Sequence, residues 1–264
     1  MKIDYHIHST FSADAFSEAE GIVRKAIQAG YNEIAFTEHF DLLPSEIAIY
    51  GIPPYAKYQA RIDELRKRYP QIRVLLGIEA GELHRVKMLY EQITKNRKPD
   101  ILIASIHLLS DNKNTSVPFE VPLTSEEIRD YYMENLKLVQ ECDFDILGHL
   151  GIYKRYYKVH PKDEDSCMDI IDDIFRTMIK RSIALEINYS GLRKTLHSFI
   201  PEPCNIRRYL ELGGKLMTLG SDTHHADHFD DLYDSAIQML KEMGIGELYH
   251  KLNGKWESFS IGIR

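Results

Sequence analysis

The sequence predicts an α/β chain whose seven βα units close, or nearly close, into a TIM-like barrel. Three observations predict it. Short apolar runs alternate with amphipathic stretches along most of the chain. Histidines and carboxylates stand just after most of the apolar runs, where a parallel barrel carries its functional rim. The length of 264 residues and the 44% hydrophobic content suit one domain over 1–264 better than two small ones. A doubly wound open sheet is the competitor, but it gathers its site at one crossover and leaves distal strand ends too far apart to share a pocket.

The first strand is read over residues 2–7. A helix over 17–29 follows, with Ala19, Ile22, Val23, Ala26 and Ile27 on one face and Gly30 as its stop. Residues 33–37 form the second strand. Residues 40–54, rich in aromatic, aliphatic and proline residues, read as a loop, and 55–69 as a helix. The third strand, 73–78, precedes a helix marked by Leu83, Val86, Leu89, Tyr90 and Ile93. Pro99 introduces the fourth strand at 101–106. Residues 108–122 form a long connection able to cover a site. Thr124 and Glu127 have capping-box spacing at the start of a helix to Gln140. The fifth strand is 144–147, followed by a basic aromatic loop at 153–158 and a helix near 164–180. Strand six at 182–187, a helix at 203–212 ended by Gly213-Gly214, strand seven at 215–219 and a helix at 231–243 complete the pattern. No element is assigned beyond Gly244, and no repeat, low-complexity tract or linker interrupts the chain.

The net charge is -7, from 33 basic and 40 acidic residues, without a cationic block, which weighs against nonspecific nucleic-acid binding. Cys142, Cys167 and Cys204 lack the spacing of a disulfide scaffold or a CxxC metal motif. The N-terminus has no apolar signal stretch, and no run approaches the ~20 residues of a membrane span. A cytoplasmic protein without a membrane partner is the expectation.

The chemistry-bearing residues follow the strands. His6 and His8, at i and i+2, share one face of an ideal strand, and Asp14 lies in the next loop. Alternation selects His39 over Glu38 to face the shared centre, leaving Glu38 to orient a ligand. Glu79 directly follows an apolar run, where a buried carboxylate needs partners, and its two oxygens can serve two ions. His107 and His149 end strands four and five, and Asp222 and His224 follow strand seven. His225 and His228 read as surface residues. Each of these is an ordinary core or solvated side chain when taken alone. Together His6, His8, Asp14, His39, Glu79, His107, His149, Asp222 and His224 make nine candidate ligands. They suffice for three divalent ions, zinc, manganese or iron, alone or mixed. Such a centre attracts a phosphate dianion despite the acidic total.

The chain resembles the polymerase-and-histidinol-phosphatase (PHP) superfamily. His6-Ile7-His8, Thr37-Glu38-His39, Glu79, His107, His149 and Ser221-Asp222-Thr223-His224 look like its dispersed metal motifs. Thr37-Glu38-His39-Phe40-Asp41 and Ile187-Asn188-Tyr189-Ser190-Gly191-Leu192-Arg193 look like its histidinol-phosphate phosphatases. The resemblance implies a distorted seven-stranded (β/α)7 barrel of PHP type and a trinuclear centre. It implies that His6, His8, Glu79 and Asp222 serve one ion, Asp14, His39 and His224 a second, and Glu79, His107 and His149 a third. It also implies hydrolysis of L-histidinol phosphate to L-histidinol and phosphate in histidine biosynthesis. Asp14 stands where the superfamily often has histidine, and Tyr189 where a smaller residue is common.

A metal-bound hydroxide is the expected nucleophile. Asp222, His224 and Arg193 are the expected catalytic residues, with Asp222 or a histidine moving the leaving-group proton. Arg155 and Arg193 are the expected phosphate clamps, because the guanidinium fork matches phosphate oxygens, and His197 is a further contact. Glu38, Asp41, Phe40, Tyr153 and Tyr189 are the candidates for the amine and imidazole of the alcohol. The expected partner is a small-molecule phosphate monoester, with oligomeric state open. The alternatives are a PHP phosphoesterase acting on a nucleotide, sugar phosphate or phosphotyrosyl protein, and a metal-binding barrel without turnover. Tyr50 and Trp256 are left between an interface and barrel packing.

Overall fold

The computed structural model describes residues 1–52, 54–118, 121–156 and 164–262. Seven parallel strands lie side by side in chain order: β1 (Ile3–Ile7), β2 (Glu33–His39), β3 (Arg73–Gly81), β4 (Ile101–Ser105), β5 (Ile146–Leu147), β6 (Ala184–Asn188) and β7 (Met217–Gly220). The seam between β7 and β1 is bridged by two backbone bonds, Asp222 N–H to the His6 carbonyl at 2.8 Å and His8 N–H to the Thr223 carbonyl at 2.9 Å. The result is a nearly closed barrel. Around it lie α1 (Ala19–Gln28), α2 (Pro44–Tyr50), α3 (Tyr55–Arg68), α4 (Leu83–Thr94), α5 (Ser125–Glu141), α6 (Met168–Arg181), α7 (Pro203–Glu211) and α8 (Tyr233–Glu242). None of the described helices is long and apolar enough to cross a membrane.

Period-two alternation divides the strands between two cores. Ile3, Tyr5, Ala35, Leu75, Ile101, Ile103, Ile146 and Ala184 fill the barrel interior. Ile34, Phe36, Val74, Leu76, Leu102 and Leu185 face outward and pack with the helices. The first strand breaks the rule. Its register against β2 shifts between Asp4 and Ile7, and Ile7 joins the outer core although Ile3 and Tyr5 lie inside. Such a bulge re-aims a strand. It turns His6 and His8 inward, where unbroken alternation from Tyr5 would send them toward the helices.

The capping box at the start of α5 is complete: the Glu127 N–H donates to Thr124 Oγ1 at 3.2 Å, and the Thr124 N–H donates to the Glu127 carboxylate at 2.7 Å. Three expectations are corrected. The segment 40–54 is not all loop, because α2 occupies its middle. Pro44 and Glu46 open that helix as good first-turn residues, but seven residues are too few to display an apolar period. Strand six begins two residues later than expected, because Ser182 (φ 57°) ends α6 in the left-handed region. The tail beyond Gly244 is structured as an antiparallel hairpin of β8 (Glu247–Leu252) and β9 (Lys255–Ser260).

Asn253 (φ 51°) and Gly254 (φ 76°) make the hairpin turn, the pair of positive φ values that a type I′ turn requires. The hairpin packs against the N-terminal end of the barrel. Trp256 and Phe259 touch the interior core, so Trp256 packs the barrel. The Lys251 N–H donates to the Tyr5 hydroxyl at 2.9 Å, Arg73 donates to the Lys251 carbonyl at 2.8 Å, and the Lys251 ammonium pairs with Asp145. Gly254→Ala places a side chain at positive φ without filling any gap. The expected cost is about 1 kcal/mol, a melting temperature lowered by roughly 2–4 °C. Thermal unfolding checks this, and an unchanged melting temperature removes the left-handed turn from the account.

Candidate metal centre

The site is built outward from Glu79. Its side chain lies inward on β3, fully buried. Oε2 lies 3.1 Å from His6 Nε2, 3.4 Å from His8 Nε2 and 3.2 Å from His39 Nδ1. Oε1 lies 2.7 Å from His149 Nε2 and 3.3 Å from His107 Nε2. Burial disfavours a charged carboxylate, but the imidazoles of His6, His39 and His107 outweigh it and hold Glu79 well below its ordinary pKa. One buried anion therefore divides its two oxygens between two sets of ring nitrogens.

Asp222 Oδ1 joins the first set, 3.9 Å from His6 Nε2 and 3.6 Å from His8 Nε2. In the second set His107 and His149 face each other, Nε2 to Nε2, at 3.3 Å. A third set stands at the rim. There Asp14 Oδ2 is 3.2 Å from His224 Nε2 and 3.6 Å from His39 Nε2, and the two imidazole nitrogens are 3.3 Å apart. Ligands about 2.1 Å from a tetrahedral ion lie roughly 3.4 Å from one another, and most of these separations fall near that value. His6 Nε2, His8 Nε2, His39 Nδ1 and Glu79 Oε2 are buried without a hydrogen-bond partner among the described residues. Unsatisfied atoms of this kind are costly in a dry interior, and divalent cations fit them.

The outer nitrogens of the rings support this orientation. His6 Nδ1 meets Glu186 at 2.6 Å, His8 Nδ1 meets Ser12 at 3.3 Å, His107 Nδ1 meets Asp41 at 3.3 Å, and His224 Nδ1 meets the Asp222 carbonyl at 3.1 Å. An acceptor behind Nδ1 leaves Nε2 with its lone pair toward the centre. Burial pushes the His8 pKa well down, and His224, His39 and His6 add to the effect, so its ring is neutral and able to ligate. At His6 burial also opposes charge, but Glu186, Glu79 and Asp222 drive the pKa well above its ordinary value. That position attracts positive charge.

Glu186 was not anticipated from the sequence. It is buried on β6, and its second oxygen accepts the His149 N–H at 2.6 Å. A carboxylate inside the apolar run 184–187 is the same signal that singled out Glu79. Gly220 makes room for it, since a Cβ there would lie 2.1 Å from Glu186 Oε1 and 2.7 Å from the His6 Cβ. Glu82 is a second buried support, accepting the N–H groups of His107 at 2.6 Å and Leu108 at 2.8 Å.

A cavity of about 410 Å³ opens over these groups. Arg155, Arg193, Lys194, Asp41, Glu46 and Tyr50 are among its walls. Arg155 donates to Asp222 Oδ2, leaving Oδ1 to the histidines. Arg193 is held by Asp231 at 2.9 Å, by the Ser221 carbonyl and by the face of Tyr189 at 5.7 Å. Other expected substrate contacts lie elsewhere. Both oxygens of Glu38 are engaged by Ser9 and Ser12, and Ser12 reaches the His39 N–H at 3.0 Å, so Glu38 braces the loop behind the site. Phe40 is buried edge-on against Tyr55 in the outer core. Tyr189 lies buried beneath Arg193, and Tyr153 packs with Tyr131 and Tyr132. His197 is exposed, away from the cavity wall. Lys158 of the basic aromatic loop lies outside the described residues.

The PHP domain family model matches residues 4–190, and the chain belongs to that family. The histidinol-phosphatase of Lactococcus lactis subsp. lactis (strain IL1403) is 31% identical over 256 residues, covering 94% of this chain and 93% of that protein. A Clostridium acetobutylicum protein named "Probable histidinol-phosphatase" is 28% identical over 261 residues, covering 94% and 96%. The crystal structure of the Lactococcus lactis histidinol phosphate phosphatase, complexed with zinc, L-histidinol and phosphate, aligns with a TM-score of 0.82 at 30% identity. That alignment covers 97% of this chain and 98% of the other.

Glu186→Gln keeps the size of the side chain and removes the charge behind His6. The expected result is metal affinity weakened about 10–100-fold, the usual scale for losing the acceptor behind a ligand. Calorimetric metal titration reads it, and an unchanged affinity separates Glu186 from the centre.

Proposed function

We propose that this chain hydrolyses L-histidinol phosphate to L-histidinol and phosphate, using three divalent ions drawn from zinc, manganese and iron. It is a metal-dependent phosphoesterase of the PHP family with a small-molecule phosphate ester as substrate. The observation that carries the choice of alcohol is the full-length likeness to the Lactococcus lactis enzyme with L-histidinol and phosphate. The reaction belongs to histidine biosynthesis, and we place the protein in the cytoplasm on that ground.

We assign His6, His8, Glu79 and Asp222 to one ion, Asp14, His39 and His224 to a second, and Glu79, His107 and His149 to a third. Divalent ions held there supply Lewis acidity toward phosphoryl oxygens and lower the pKa of water. The chain's own residues do the rest. Burial opposes charge on Asp222, but Arg155, His6 and His224 outweigh it and keep the carboxyl well below its ordinary pKa. An Asp222 kept ionised in this way is suited to hold an ion and cannot serve as the proton donor. Arg155 fixes the carboxylate that faces His6 and His8. Arg193 is immobilised by Asp231 and Ser221, and its remaining N–H groups meet the phosphoryl oxygens. Water attacks phosphorus, the bond from phosphorus to the alcohol oxygen breaks, and the proton that the water loses ends on the departing alcohol oxygen, giving L-histidinol and phosphate.

Phosphate release after defined metal reconstitution tests the activity. L-histidinol phosphate is expected to exceed nucleotides, sugar phosphates and phosphotyrosyl peptides in kcat/KM by at least tenfold, and chelation is expected to abolish turnover. Preference for another ester reassigns the substrate. Arg193→Ala is expected to lower kcat/KM about 10²–10³-fold while bound metal is retained. Wild-type kinetics in that variant remove Arg193 from the site.

A further inference from the structure

One carboxylate of the cavity wall has no part in the chemistry above. Glu46 lies on α2, a helix inserted between β2 and α3. It is 9% exposed and lines the cavity. No hydrogen bond or ion pair joins it to another described residue. Its acidic neighbours differ in this respect. Asp41 meets His107 at 3.3 Å and His39 at 3.4 Å, Asp222 holds Arg155, and Glu38 and Glu82 hold backbone N–H groups. Glu46 also stands outside the groups able to hold a metal ion. A largely buried carboxylate with no partner among the described residues, open to a cavity, is free to meet a cation from outside the chain.

The layout of the barrel says which part of a ligand would meet it. Asp41 and Glu46 follow β2, whereas Arg155, Arg193 and Lys194 follow β5 and β6. With the strands in chain order around a nearly closed ring, these stations lie across the ring from each other. The basic side chains stand on one wall, two of them paired with Asp222 and Asp231, and the Asp41 and Glu46 carboxylates on the other, with imidazoles between. Tyr50 and Ile52, beside Glu46, line the same cavity and stand half-exposed at its mouth, where they offer an apolar face. A phosphate ester whose alcohol bears an ammonium group matches this order of charges.

We propose that Glu46 is the specificity residue of this site and selects amine-bearing phosphate monoesters by pairing with the substrate ammonium. The inference rests on the phosphoesterase reading and adds the substrate feature that is recognised. A primary amine is mostly protonated at neutral pH, so the pair forms under working conditions.

The test uses the full-length, metal-reconstituted protein with two substrates, L-histidinol phosphate and its deaminated analogue 3-(imidazol-4-yl)propyl phosphate. The readout is the ratio of their kcat/KM values in wild type, Glu46→Gln and Glu46→Asp. The ratio is expected to fall at least tenfold in Glu46→Gln, chiefly through KM for the amine-bearing ester, and to be partly restored in Glu46→Asp. Calorimetry with L-histidinol is expected to show Kd weakened at least tenfold in Glu46→Gln. An unchanged ratio, or equal loss on both esters, overturns the proposal. If Glu46→Gln loses its fold or its metal, Glu46→Asp decides the matter, since its ratio must then lie below wild type. Wild type that hydrolyses the deaminated ester equally well overturns the role of Glu46 and leaves the phosphoesterase standing.

Discussion

The structure depends on one buried charge. Glu79 sits fully buried on β3, and five imidazoles lie within hydrogen-bonding or ion-pair range of its two oxygens. An isolated carboxylate in that place would be severely destabilising. Ring nitrogens that converge without protons of their own would be nearly as unfavourable. Cations shared between them would solve both problems, and would link folding to metal binding. The strand order makes such sharing feasible, because the candidate ligands from β1, β2, β3, β4, β5 and β7 are spread through the sequence but gathered on one rim.

Much of the remaining architecture keeps that rim in place. The bulge in β1 changes the face presented by two histidines. Glu186 links the His6 ring to the His149 backbone, across the sheet from β1 to the end of β5. The Arg155–Asp222 pair ties the loop after β5 to the one after β7, next to the backbone bonds that close the barrel. At the opposite end the hairpin of β8 and β9 covers the interior core with Trp256 and Phe259. The rim can therefore carry unsatisfied polar atoms while the base carries ordinary packing.

The legible features were those with a repeating physical signature. Apolar runs of four to six residues located the strands, and alternation correctly set Glu38 and His39 on different faces of β2. Features that lack a period were harder to read. The β1 bulge leaves no trace in composition, because it concerns pairing between strands. α2 is shorter than two helical repeats, which hid Glu46. Glu186 stood in an apolar strand as visibly as Glu79, but lacked an adjacent histidine to draw attention. The hairpin was announced by Asn253-Gly254, a local turn signal that strand patterning does not weigh. Substrate contacts were the least legible part. Glu38, Phe40 and Tyr189 have suitable chemistry, but exposure to the cavity depends on tertiary packing, and all three are turned away from it or buried beneath it.

Metal stoichiometry in Glu79→Gln tests the central claim most directly. Elemental analysis of the purified, reconstituted protein counts ions per chain, and circular dichroism reports whether the barrel is folded. Sharing of the two Glu79 oxygens predicts three ions in wild type and a loss of at least two in the folded variant. A folded Glu79→Gln protein that retains the wild-type count would contradict it.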